Sequence, residues 1–166
     1  MSTTIQRILV GHDFGDAAHA ALAYALDLAE KLDARVTVVH AYEVPVYGFP
    51  EGIALTTDVT GQIRAASVEA LDGVVQRAAR PRVDVHGMLR QGPAWSEITT
   101  AAAEMHADLI VVGTHGRRGL AHALLGSVAE KVVRTAPCPV LTVHGTPADG
   151  KAQGGAPAID SPHGRV

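Results

Sequence analysis

Short apolar runs alternate along this chain with longer amphipathic ones, and that alternation predicts the elements. Ile8-Leu9-Val10 is too short for a helix and stops at Gly11, so it reads as a first strand. Ala18, Leu22, Ala25, Ala29 and Leu32 then recur at spacings of three and four. That period predicts a helix of roughly 16–18 residues with one buried stripe. Arg35 to His40, with Val36, Val38 and Val39, is a second strand. From Ala41 to Thr60 the chain is punctuated by Pro45, Gly48, Pro50 and Gly52, with Gly61 just beyond, which predicts a loop. Loops of that length inside a compact domain are usually functional or mobile. A second helix is expected over Ile63 to Ala79, stopped by Pro81.

Val83, Val85 and Met88-Leu89 predict a third strand. Pro93 suits a first helical turn, and Trp95, Ile98, Ala102 and Met105 share one face of the helix that follows. Asp108 to Val112 is a fourth strand, Val128 to Thr135 a fourth helix ending before Pro137, and Pro139 to Val143 a fifth strand. Strand–helix alternation of this kind predicts right-handed βαβ units, hence an α/β fold with a five-stranded parallel sheet covered on both faces. In such sheets ligands sit beyond the carboxyl ends of the strands, where strand order reverses. The rule gathers Asp13, His40-Ala41 and Gly113 to Gly116 at one edge.

Composition narrows the function. The chain has 166 residues, enough for one self-sufficient core. After His144 large apolar residues almost vanish, so one domain over residues 1–144 and a disordered tail over 145–166 are expected. A net charge of −3 with scattered Lys and Arg argues against nucleic-acid and acidic-membrane partners. No run approaches the ~18 apolar residues of a membrane span, and Arg7 is followed by too short an apolar run for a signal peptide. The lone Cys138 excludes an intrachain disulfide, so a reduced, cytoplasmic setting is expected.

The chemistry concentrates between Asp108 and Val143. A strand runs into Gly113-Thr114-His115-Gly116, and Gly126-Ser127 then opens a helix. Glycines let a backbone approach a bound group closely, and helix-start N–H groups attract anions, so the pair predicts a phosphate site. Ser127-Val128-Ala129-Glu130 matches a capping box, in which the Ser127 hydroxyl would accept from the Glu130 N–H. Turn glycines and a helix cap would also explain these residues without any ligand. Asp13, just past the first strand, either orders its own loop or meets a ribose hydroxyl or an adenine amino group. His12, His40 and His115 fall at the same edge and His122 nearby, but without metal-ligand spacing. There is no Walker A loop, no G-x-G-x-x-G and no nucleophile elbow, and Cys138 has no adjacent base. No dedicated catalytic set is legible.

In its motifs the chain resembles the universal stress proteins that bind ATP. Gly113-x-x-Gly116, nine intervening residues and Gly126-Ser127 reproduce their G-2x-G-9x-G-[ST] signature. Five blocks follow the family in order: Ile8-Leu9-Val10 leading to Asp13, Val38-Val39-His40, Gly92 to Ile98, Ala107-Asp108-Leu109-Ile110-Val111-Val112-Gly113, and Pro137-Cys138-Pro139-Val140-Leu141. The resemblance implies a Rossmann-like fold of the adenine nucleotide alpha hydrolase-like type. It also implies a homodimer paired through Pro139 to Val143. By resemblance Asp13 meets the adenosine part and the main chain around Ala41 lies against adenine. Val112, Gly113 and Gly116 line the ribose and phosphates beside Arg117, while Gly126, Ser127 and Val128 hold the phosphates. Mg²⁺ or Mn²⁺ would enter only through those phosphates. One departure is Gly15, where the family commonly has Ser, which leaves Asp16 as the expected cap of the first helix.

The expected function is therefore that of a nucleotide-dependent stress-response regulator acting through an unknown protein partner, with at most slow ATP hydrolysis. The alternatives are a dimeric interaction module of the same fold that needs no nucleotide, and an adenylating enzyme, for which no substrate pocket or metal set is legible.

Overall fold

The computed structural model describes residues 4–44, 57–114 and 125–145. Nine elements alternate along them: β1 (Arg7–Gly11), α1 (Asp16–Leu32), β2 (Arg35–Tyr42), α2 (Thr57–Ala78), β3 (Val85–Gln91), α3 (Ala94–Glu104), β4 (Leu109–Gly113), α4 (Ser127–Thr135) and β5 (Val140–Val143). The strands form one parallel sheet in the order β3-β2-β1-β4-β5. The expected five-stranded parallel α/β sheet is what the chain builds.

Side chains alternate across each strand, so neighbouring residues feed two cores. Ile8, Val10, Val36, Val38 and Val111 pack with α1 and α2 on one face. Leu9, Val39, Ile110 and Val112 pack with α3 and α4 on the other. Both faces of β1 and β4 are covered, which is why these strands read as unbroken apolar runs. Each fully buried Ile or Leu contributes roughly 1.5–3 kcal/mol relative to exposure.

Successive strands move outward from β1 to β3, and the chain then crosses back to place β4 on the other side of β1. The reversal between β1 and β4 leaves a crevice at their carboxyl ends. Arg90 of β3 fixes α3 beside it, donating from Nε to Glu97 (3.0 Å) and from both terminal nitrogens to the Glu104 carboxylate (3.0 and 3.1 Å). These bonds, to Glu104 first, raise the Arg90 pKa further.

Several boundaries differ from expectation. β2 continues through Ala41 and Tyr42 because its ladder with β3 runs on to Tyr42–Gln91. α2 begins at Thr57, inside the stretch expected to be a loop, and includes Gly61. A glycine costs a surface helix about 1 kcal/mol, which a helix of 22 residues can carry. Val83 lies outside β3, in an isolated antiparallel bridge with Arg80. Residues 45–56, the remainder of the expected loop, lie outside the described residues, as does the expected tail from 146. Gly145, assigned to that tail, is seated against Ala17. Among the described residues no helix is long and apolar enough to cross a membrane.

Candidate functional site

The crevice between β1 and β4 holds a cavity of about 150 Å³, lined by residues from both strands and from β2, α1, α3 and α4. Asp13, Ala41, Val112, Gly113, Gly126, Ser127 and Val128 all line it. Seven of the nine residues singled out from the sequence thus share one space. The other two, Gly116 and Arg117, lie outside the described residues, together with His115, Arg118 and His122. The described walls alone enclose less than the ~300–1,000 Å³ of a whole small-molecule site.

The ends of β4 and α4 are tied together. Gly126 N–H donates to the Thr114 carbonyl, and Thr114 N–H donates to Val143 O at 2.9 Å. The first helical bond of α4 is Glu130 N–H to Gly126 O (2.9 Å). The Ser127, Val128 and Ala129 N–H groups therefore have no intrahelical acceptor, and all three residues line the cavity. A helix start of this kind favours an anion through its dipole and its donors.

The expected capping box does not form. Gly126 is the N-cap, no side chain among the described residues caps α4, and Ser127 is its first helical residue. The tether to Thr114 starts the helix one residue earlier than the box requires. Glu130 turns instead toward Arg134, 3.5 Å away and one turn on. The expected cap at Asp16 is corrected in the same way. Gly15 is the N-cap of α1, with no side-chain cap bond, because the preceding turn is already closed. Asp13 Oδ1 accepts from Gly15 N–H at 3.0 Å.

Gly113 also has a different reason from the one its motif suggested. A Cβ there would lie 2.7 Å from the main-chain carbon of Ala17 and 2.8 Å from its oxygen. The missing side chain lets the start of α1 close onto β4, and this need exists without any ligand. At Gly11 a Cβ would come 2.7 Å from Ile98 Cδ1 and 3.1 Å from Val112 Cγ1, so that glycine lets α3 close over the cavity floor.

A model of the universal stress protein family matches residues 4–144. This chain belongs to the universal stress protein family. It is 41% identical over 141 residues to a universal stress protein of Thermus aquaticus, covering 82% of this chain and 96% of that protein. Among solved structures, UspA from Lactobacillus plantarum matches with a TM-score of 0.73 and 28% identity, over 84% of this chain and 97% of that one. A universal stress protein solved in complex with cAMP matches with a TM-score of 0.58 and 27% identity, over 86% and 99%.

In this member of the family, the described cavity wall carries two titratable residues, His12 and Asp13. The His12 ring contacts Phe14 and His19, the latter on α1. His40 packs on Phe14 on the same side, ring centroids 4.2 Å apart. Strand alternation explains both placements: Val10 and Val38 face α1 and α2, and the histidines two residues on follow them. No group of three or more His, Cys, Asp or Glu among the described residues is disposed to hold a metal ion. Cys138 is half-buried and its thiol pKa is raised, first by burial.

Sequence reading missed Gly11, Ala18, Val39, Ala94, Ile98, Thr114 and Ala129 as cavity wall. Ile98 sits on the helix face that the periodicity marked as apolar, but periodicity cannot say that one end of that face meets a cavity. Thr114 was visible inside the glycine loop. Its buried position, 1% exposed, follows from the ties to Val143 and Gly126.

Proposed function

We propose that this protein binds an adenine nucleotide, ATP first, in the β1–β4 crevice and acts in the cytoplasm as a nucleotide-dependent stress-response regulator. The observation that carries the reading is the tie between Gly126 and Thr114, with the first amides of α4 opening onto the same cavity as Asp13 and Ala41. A family relative solved with cAMP, another adenine nucleotide, supports the same ligand class.

The residues present fit such a ligand in two halves. Val39, Ala41, Ile98 and Val112 make an apolar wall suited to a purine, and Asp13, which lines the same cavity, would accept from adenosine N–H or O–H groups. Gly126, Ser127 and Val128 would take phosphate oxygens at the helix start. Val112 and Gly113 would lie along the ribose, with Gly116 and Arg117 assigned to the phosphates by family resemblance. Mg²⁺ or Mn²⁺ would then be held through phosphate oxygens. With Asp13 as the sole carboxylate on the described wall, the site suits binding far better than fast hydrolysis.

Occupancy would be read by a protein partner, in a homodimer paired through Pro139–Val143. β5 bonds β4 on one side and pairs with no other strand among the described residues, which leaves a sheet edge suited to that pairing. Isothermal titration with ATP is expected to give a Kd well below ~1 mM, weakened about tenfold in Asp13→Ala. Native protein that carries no nucleotide and shows no affinity better than millimolar overturns the reading.

A further inference from the structure

His12 occupies an unusual position. The residue is almost wholly buried, 4% exposed, and its Nε2 has no hydrogen-bond partner among the described residues. Nδ1 accepts from Phe14 N–H at 3.1 Å, so a neutral ring carries its proton on Nε2. That proton is a buried donor with nothing to bond, an arrangement that costs stability. Leucine would fill the space without the cost. What histidine adds is the acceptor at Nδ1.

That acceptor sits where the backbone needs one. Phe14 has φ +66°, a left-handed conformation unfavourable for a bulky residue. Two side chains hold the turn, each accepting from the N–H two residues on: His12 Nδ1 from Phe14 and Asp13 Oδ1 from Gly15 (3.0 Å). The main chain of His12 is held by β2 as well, its N–H donating to Val39 O (2.9 Å) and its carbonyl accepting from His40 Nδ1 (2.8 Å). Asp13 is thus the hinge point between a clamped strand end and a turn that depends on the His12 ring.

We infer that His12 is a positioning residue for the nucleotide site: by accepting from Phe14 N–H it sets the turn that presents the Asp13 carboxylate to the ligand. The inference rests on the nucleotide reading of the cavity. In this role His12 acts through Asp13, its ring packed against Phe14 and His19. It follows that the acceptor matters and the rest of the ring does not. Asparagine, whose Oδ1 can close the same turn, is the conservative replacement.

The test compares ATP affinity by calorimetry in the full chain and in His12→Leu, His12→Asn, Asp13→Ala and the double variant His12→Leu/Asp13→Ala. Thermal melts and hydrogen exchange of the Phe14 and Gly15 amides are followed in the ligand-free proteins. His12→Leu is expected to bind ATP about tenfold more weakly while still folding, and to expose the Phe14 amide to exchange. His12→Asn keeps both affinity and protection. In the Asp13→Ala background, His12→Leu has no further effect on affinity, which a purely structural role would not produce. Unmodified protein that binds ATP, with His12→Leu unchanged or with its loss undiminished in Asp13→Ala, overturns the role of His12 alone. A His12→Asn variant as weak as His12→Leu does the same. Unmodified protein that fails to bind ATP overturns the site reading and this role with it.

Discussion

Burial of His12 makes the stability of the fold sensitive to acid in a window that can be calculated. Burial, first, and then His19 on α1 lower its pKa from 6.5 to about 4; His40 on β2 and Arg77 on α2 add to the shift, and Asp13 opposes it. Well above 6.5 the ring is neutral in both folded and unfolded chains and titrates in neither. Between that point and about 4 the unfolded chain takes up a proton that the folded chain refuses. The unfolded state binds more protons there, so stability falls as pH falls. The gap between 6.5 and about 4 converts to about 3 kcal/mol, a large part of the 5–15 kcal/mol typical of a domain. Urea unfolding at pH about 7, 5.5 and 4, for the unmodified chain and for His12→Asn, isolates this contribution, because other carboxylates and histidines are common to both. The unmodified chain should lose about 3 kcal/mol more than the variant over that range, with most of the loss below pH ~6. Curves that stay parallel within about 0.5 kcal/mol would show that His12 is not held neutral by its surroundings.

Other substitutions probe the remaining geometry. Gly113→Ala should cost the ligand-free protein about 1–3 kcal/mol in denaturant unfolding, since its Cβ meets the main chain of Ala17 and no flexible tip can move aside; an unchanged midpoint would return this glycine to a purely ligand-serving role. Ser127→Ala should change stability by less than about 0.5 kcal/mol, because the hydroxyl is exposed and caps nothing. A loss near the ~1 kcal/mol of a true N-cap would contradict the assignment of Gly126 to that position. At β5, Ile110 N–H bonds Pro139 O and Thr114 N–H bonds Val143 O, so the alternate residue Thr142 directs its main chain to the free edge. Thr142→Pro should therefore leave the monomer folded but abolish a strand-paired dimer in sedimentation velocity; an intact dimer would move the interface elsewhere.

Much of this protein is legible in one dimension. The runs Ile8-Leu9-Val10 and Leu109-Ile110-Val111-Val112 read as strands and are buried on both sides, and the spacing from Ala18 to Ala29 reads as a helix with one buried face, although Leu32 at the end of that stripe is exposed. Their alternation implies a parallel sheet, and the rule for such sheets puts Asp13, Ala41 and the glycine loop at one edge. Hydrophobic burial has a period, and a period survives in a linear text. Contacts between distant residues leave no period. Only the folded chain shows that Thr114 ties down Gly126 and so denies Ser127 its capping role, that Gly113 is small for the sake of Ala17, and that the ladder to Gln91 carries β2 through Tyr42. The same holds for His12, which in the sequence is one histidine among nine. Its importance comes from a buried ring, a left-handed Phe14 and a neighbouring helix, all brought to one point by packing.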